Sequence, residues 1–149
     1  MPYQDADDGH RTVITGDVIA HARQVFDSGL QLEAIILAHE FLEQKLNHFH
    51  NSIASAGTPM VHRKFKNIID VLASAEILTD DGYAVLNEFN RLRNINSNLV
   101  LNSSLTLKGA KKGDMAKAMS LAEECEKIIS RLSDEAVSQK SRKKARKRG

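Results

Sequence analysis

The sequence holds a single cysteine, Cys125, among 149 residues. An intrachain disulfide is therefore excluded, and a reducing, cytoplasmic setting is consistent with that usage. No apolar run is long enough to cross a bilayer, and the acidic opening (Asp5, Asp7, Asp8) stands where a secretory signal carries its apolar core. No membrane partner is expected. A glycine-rich phosphate loop is also missing: Lys108–Gly113 carries three lysines and two glycines, but it lacks the P-loop spacing and no strand pattern precedes it. There are only two prolines and no tryptophan. With proline so scarce, little in the chain interrupts a helix.

What is abundant points the same way. Leu, Ala, Ile, Glu and Lys fill most of the middle of the chain, which favours helix. Hydrophobic residues are 42% and charged ones 27%, a balance that belongs to folded rather than disordered chains. The length suits one domain with a real core. The formal charge is +2 but uneven, because Lys140–Gly149 holds seven of the 21 Lys and Arg residues and leaves 14 against 19 acidic residues elsewhere. The body is mildly acidic. Any affinity for nucleic acid has to come from the tail and from local patches.

The reading divides the chain into a flexible leader over 1–12, a helical bundle domain over 13–139 and a disordered basic tail over 140–149. The bundle is all-α, with about five mostly antiparallel helices. In the first, Thr15 or Asp17 can cap, Val18, Ile19, Ala22, Val25 and Phe26 share a face, and Gly29 suits the terminating position. The second, about Gln31–Ser55, repeats Leu32, Ile35, Ile36, His39, Leu42, Leu46, Phe49 and Ile53 at a spacing of three to four. Thr58 and Pro59 are read as cap and first residue of a third helix over about Met60–Ala75, which buries Phe65, Ile68, Ile69 and Leu72. Thr79, Asp80 and Asp81 start the fourth. Leu99–Leu107 reads as an extended crossover or part of a bent helix. Asp114 caps a fifth helix, about Met115–Val137, with Met115, Ala118, Met119, Ala122, Cys125, Ile129, Leu132 and Ala136 along its stripe.

Few residues carry chemistry. His39 and Glu43 stand four apart on one helical face, but a zinc site needs three or four convergent ligands, and His48 and His50, two apart, point in different directions. No metal and no cofactor is expected. His39 reads as a partly buried core residue, and His48 and His50 sit near a helix C-terminus, which favours positive charge. Cys125 reads as a buried, inert thiol. The cations able to meet phosphate are Lys108, Lys111 and Lys112 in the basic loop, and Arg142, Lys143, Lys144, Arg146, Lys147 and Arg148 in the tail. Such a block can bind RNA, DNA, an acidic protein or an anionic surface, and no aromatic residues interleave to stack on bases.

Arg93 is the remaining candidate. It follows Leu86 and Phe89 on one helical face, and its guanidinium keeps its proton and so needs acceptors. Two readings stand: an internal pair with Glu40 or Glu43 that fixes helix register, or an arginine at a cleft or dimer seam that receives a phosphate.

Leu92-Arg93-Asn94-x-x-x-Asn98 resembles the Arg-Asn-x-x-x-His signature of the HEPN superfamily of small helical proteins. The upstream Leu42-Glu43-x-x-Leu46, Leu72–Leu78 and Phe89-x-x-Leu-Arg-Asn are similar to the group that includes the mannitol operon repressor proteins. The resemblance covers about residues 30–130 in helix order. It implies a four- or five-helix bundle that dimerises and, in active members, a metal-independent ribonuclease whose Arg and His face the RNA across a dimer cleft. Arg93 and Asn94 carry over to the Arg and its supporting polar residue. The histidine does not, because position 98 is Asn. An amide does not titrate near neutral pH, so Asn98 serves neither as general acid nor as general base, although it can hydrogen-bond a phosphate or a 2′-OH. The expectation is a homodimeric, non-catalytic regulatory or interaction module, with RNA, DNA or another protein as partner. The alternative is a HEPN-type ribonuclease that uses Arg93, Asn94 and Asn98.

Overall fold

The computed structural model describes residues 17–54, 57, 59–101 and 112–148, apart from the side chains of 96–101, 112–113 and 139–148. Five helices carry them: α1 (Val18–Asp27), α2 (Gln31–Ile53), α3 (Phe65–Ser74), α4 (Asp80–Leu101) and α5 (Lys112–Arg148). No strand occurs among the described residues, so the all-α bundle expected from the sequence is the fold. None of the described helices is long and apolar enough to cross a membrane.

Local chemistry sets most of the boundaries. Asp17 caps α1 by accepting from the Ala20 N–H at 3.0 Å. Gly29, at φ 104°, ends it, with its own N–H on the Phe26 carbonyl and that of Leu30 on the Val25 carbonyl. This tight turn folds α2 back along α1. Thr79 caps α4 by accepting from the Gly82 N–H at 3.0 Å, and Asp80 and Asp81 occupy its first turn.

The start of α3 corrects the sequence reading. It begins at Phe65 instead of Met60; the stretch 59–64 is not helical, and Lys64 just before α3 has an extended backbone. Pro59 therefore does not occupy the first helical turn, and Thr58, the expected cap, lies outside the described residues. The physical reason is on α2. Asn47 donates through Nδ2 to the Arg63 carbonyl at 2.8 Å and accepts the Arg63 N–H at 2.7 Å. Asn51 makes the same pair with Val61, both at 3.4 Å. These amides give the backbone groups of Val61 and Arg63 partners outside a helix.

The fifth helix differs at its start. It begins at Lys112, which puts Asp114 inside the first turn and not at the cap. Its bounds run to Arg148, and the side chains of 139–148 lie outside the described residues. Neither Gly nor Pro interrupts 114–148, and Lys and Arg are good helix formers. Of the Leu99–Leu107 passage, the residues through Leu101 belong to α4 and the rest lie outside the described residues.

α2 is the central element and packs against each of the other four helices. Ile35, Leu42 and Leu46 from α2, Ile68, Ile69 and Leu72 from α3, Leu86 and Phe89 from α4, and Met119 and Ile129 from α5 are fully buried together. Each such side chain contributes roughly 1.5–3 kcal/mol relative to exposure. Charged contacts tie the outer faces to α5: Arg23 to Glu123, and Lys45 to Glu126 at 2.9 Å and to Ser130 at 2.8 Å. These partly exposed pairs add little, about 0–1 kcal/mol each. The Cys125 thiol is fully buried on α5, and burial pushes it well above the ordinary thiol range.

Candidate functional site

α4 sends Leu86, Phe89 and Leu92 into the core, which turns Asn90, Arg93 and Asn94 toward the space between α2 and the start of α3. A cleft of about 380 Å³ opens there. His39 and Glu43 line it from α2, Lys64, Phe65 and Lys66 from the start of α3, and Asn90, Arg93 and Asn94 from α4. A second hollow of about 320 Å³ lies between the start of α4 and α5. Ile77, Val85, Ile128 and Leu132 give it apolar walls, and Asp81, Glu124 and Glu135 outnumber Arg131 at its edge. That charge balance is unsuited to an anion.

The floor of the first cleft is aromatic and polar at once. The His39 ring stacks on Phe65 at 4.6 Å between centroids and tilts against Phe89 at 5.8 Å. Its Nε2 lies 2.8 Å from the Asn90 Oδ1, so this nitrogen carries the proton and donates. The Nδ1 is buried and has no partner. His39 is 6% exposed, and burial lowers its pKa, with the neighbouring Arg93 charge adding to the effect. The hydrogen bond to Asn90 and the carboxylates of Glu43 and Glu40 oppose the shift without cancelling it. The imidazole is thus held neutral, one nitrogen committed and the other out of water.

Arg93 is half-buried at the wall. Its Nη1 donates to the Asn94 Oδ1 at 3.1 Å, and its Nε is buried without a partner. Among the described residues no carboxylate comes within ion-pair distance of it. Of the two partners expected from the sequence, Glu43 lines the same cleft unpaired with Arg93, and Glu40 is exposed outside the lining. The other cations are disposed differently. Lys66 is held by Tyr83, by Asp70 at 3.3 Å and by Asn87 at 3.2 Å, and the first two keep its ammonium pKa raised. Lys64 is exposed and has no ion pair among the described residues. It is also the N-cap residue, immediately before α3, and no side chain caps that helix start. The first-turn N–H groups after it have no intrahelical acceptors and carry the positive end of the helix dipole.

The remaining sequence candidates are not brought to this cleft by any described contact. The Asn98 side chain lies outside the described residues, although its backbone belongs to α4. Lys108 and Lys111 lie outside them altogether, as do the side chains of Lys112, Arg142, Lys143, Lys144, Arg146, Lys147 and Arg148. Sequence reasoning missed Asn90 and Lys64, and it placed His39 in the core without connecting it to Arg93. A signal for Asn90 was present: it stands three residues before Arg93, one turn back on the same face. Lys64 carried none, because its place depends on where α3 starts. Among the described residues no three His, Cys, Asp or Glu side chains gather as a metal site.

The arrangement offers donors and positive charge to an oxyanion: the Arg93 guanidinium, the Lys64 ammonium and the open start of α3. Comparisons with protein-family models, with curated proteins and with solved structures find no match to this chain.

Proposed function

We propose that the protein is a non-catalytic HEPN-like regulatory module that holds a phosphate of a nucleic acid, RNA above all, in the Arg93 cleft. The observation that carries this reading is the state of Arg93: a half-buried guanidinium with a buried, unpartnered Nε and, among the described residues, no carboxylate at ion-pair distance, lining an open cleft with Lys64. Such a group is costly to leave unsatisfied and well matched to phosphate oxygens. The reading is non-catalytic because acid–base chemistry needs a titrating group at the reacting atoms. Position 98 is Asn, and His39 is neutral, buried and committed to Asn90. The proposal includes a homodimer in the cytoplasm, with the basic stretch Lys140–Gly149 adding affinity that is indifferent to sequence.

The test is binding of a fluorescent single-stranded RNA at several salt concentrations. Arg93→Ala is expected to remove roughly 1.5–3 kcal/mol, the range for charge-assisted hydrogen bonds, which is about tenfold or more in affinity. Unchanged affinity in Arg93→Ala overturns the cleft reading. A tail deletion that leaves the salt slope unchanged removes the tail from it, and a light-scattering mass of one chain removes the dimer.

One observation favours the alternative of a metal-independent ribonuclease: a histidine, His39, lines the same cleft as Arg93. Cleavage of RNA in chelator, lost in both Arg93→Ala and His39→Gln while the fold persists, decides for that alternative.

A further inference from the structure

Asn47 lines no wall of the cleft, yet it bonds the segment that builds one. It is 4% exposed and uses its whole amide: Nδ2 donates to the Glu43 carbonyl at 2.8 Å and to the Arg63 carbonyl at 2.8 Å, while Oδ1 accepts the Arg63 N–H at 2.7 Å. Asn51, one turn further along α2, brackets Val61 in the same way at 3.4 Å. The two spacings match. Four residues of helix advance about 6 Å, and two residues of extended chain advance about 6.6 Å. The asparagines therefore act as rungs that hold Val61 and Arg63 in one register, the spacing an extended chain would give. The residue after the tighter rung is Lys64, and α3 starts immediately after it.

We propose that Asn47 is the positioning residue of the cleft: by gripping both backbone groups of Arg63 it fixes where α3 begins, and so where Lys64 and Phe65 stand against Arg93 and His39. The inference rests on the reading of the cleft as a phosphate site, but it makes a claim of its own about the free protein. A slip of the segment by one residue sends Lys64 to the other face of the extended chain. It also moves the start of α3 and takes Phe65 off the His39 ring. The looser, more exposed Asn51 rung is a minor support.

The experiment uses the full chain and a single-stranded uridine dodecamer, with affinity measured against salt. Lys64→Ala is expected to lower the salt slope by about 0.7, the value of one phosphate contact on a single strand. Asn47→Ala should lower it by the same amount. The double variant should lose about 0.7 again, not twice that, because both changes remove one contact. Asn51→Ala should leave the slope unchanged. In the free protein, Asn47→Ala should shift the NMR signals of the His39 ring and of the Phe65 and Lys66 amides. If Asn47→Ala folds poorly, Arg63→Pro deletes the N–H that Asn47 accepts and leaves the buried amide in place; because it also removes a cation, it is read by the free-protein signals and not by the salt slope. An Asn47→Ala slope equal to wild type, or losses that add with Lys64→Ala, overturns the positioning role while Arg93-dependent binding keeps the site. If the dodecamer shows no Arg93-dependent binding, the functional reading falls. The free-protein signals then decide alone: unmoved His39 and Phe65 resonances overturn the inference, and shifted ones support it.

Discussion

Acidification should destabilise this protein through His39, and the amount can be bounded. The ring is 6% exposed, its Nε2 donates to Asn90 at 2.8 Å and its Nδ1 is buried with no acceptor in reach. A second proton on the ring would sit on Nδ1, out of water and unpaired, beside the positive charge of Arg93. Burial therefore dominates, and the folded pKa lies below the unfolded one. The neutral ring is the folded form, so this stabilising term is complete above the unfolded value of about 6.5. As pH falls below that, the unfolded chain takes up a proton that the folded chain refuses. Stability then drops by up to about 1.4 kcal/mol per pH unit until the folded group titrates too. Against a total of roughly 5–15 kcal/mol for a domain this is a measurable fraction. The assay is urea unfolding between pH 7 and pH 5 for wild type and His39→Gln. The glutamine amide can still donate to Asn90 but does not titrate. The variant should be weaker at pH 7 by about 0.5–1.5 kcal/mol for the lost ring stacking on Phe65, and its pH slope should be shallower by about one proton. Carboxylates common to both proteins cancel in that difference. Equal slopes refute the reasoning.

The structure makes three further predictions. Asn47→Ala should cost about 2–3 kcal/mol in chemical unfolding, because three hydrogen bonds go and the Arg63 N–H loses its partner, whereas Asn51→Ala, with longer and more exposed bonds, should cost less than about 0.5 kcal/mol. Glu76 holds φ 61° just past α3 and is exposed, so Glu76→Gly should relieve left-handed strain and raise stability by about 1 kcal/mol, read as a higher melting temperature; a lower one counts against strain there. Cys125 is fully buried with its thiol pKa raised by burial, so native protein should resist iodoacetamide at neutral pH and become modified only on unfolding.

The sequence made the bundle legible because apolar periodicity is a local signal. Four of the five residues assigned to the core face of α1, and all four assigned to that of α3, are buried. Gly29 and Thr79 stand where their chemistry places them. What was not legible depended on partners distant in sequence. Pro59 after a threonine is a sound helix start in isolation, but Asn47 and Asn51, reaching across from α2, bond the backbone of Arg63 and Val61 outside a helix. The candidate site was half legible for the same reason. Arg93 on an apolar face could be seen as a problem needing acceptors, but the acceptors could not be chosen. Glu40 and Glu43 carry the right charge at the right helical spacing, and the packing of α4 on α2 presents Asn90, not Arg93, to His39.

Arg93 contrasts with the ion-paired cations, and it shares a buried, unpartnered Nε with Arg63, which does not line the cleft. Arg23 reaches Glu123, Lys45 reaches Glu126, Lys66 reaches Asp70 and Arg91 reaches Glu88. In these places the fold brings a carboxylate to a partly or largely exposed cation. At Arg93, among the described residues, it supplies the Asn94 amide oxygen and no carboxylate, although Glu43 lies on the opposite wall of the same cleft. If the arginine served register alone, closing that pair would satisfy a buried donor whose isolation costs about 1–3 kcal/mol. The gap instead leaves the guanidinium, the unpaired Lys64 and the uncapped start of α3 facing one space, with Glu43 as a weak counter-charge. An anion entering that space finds donors already in place and no internal salt bridge to break. This preorganisation is the physical argument for a binding cleft over a structural ion pair.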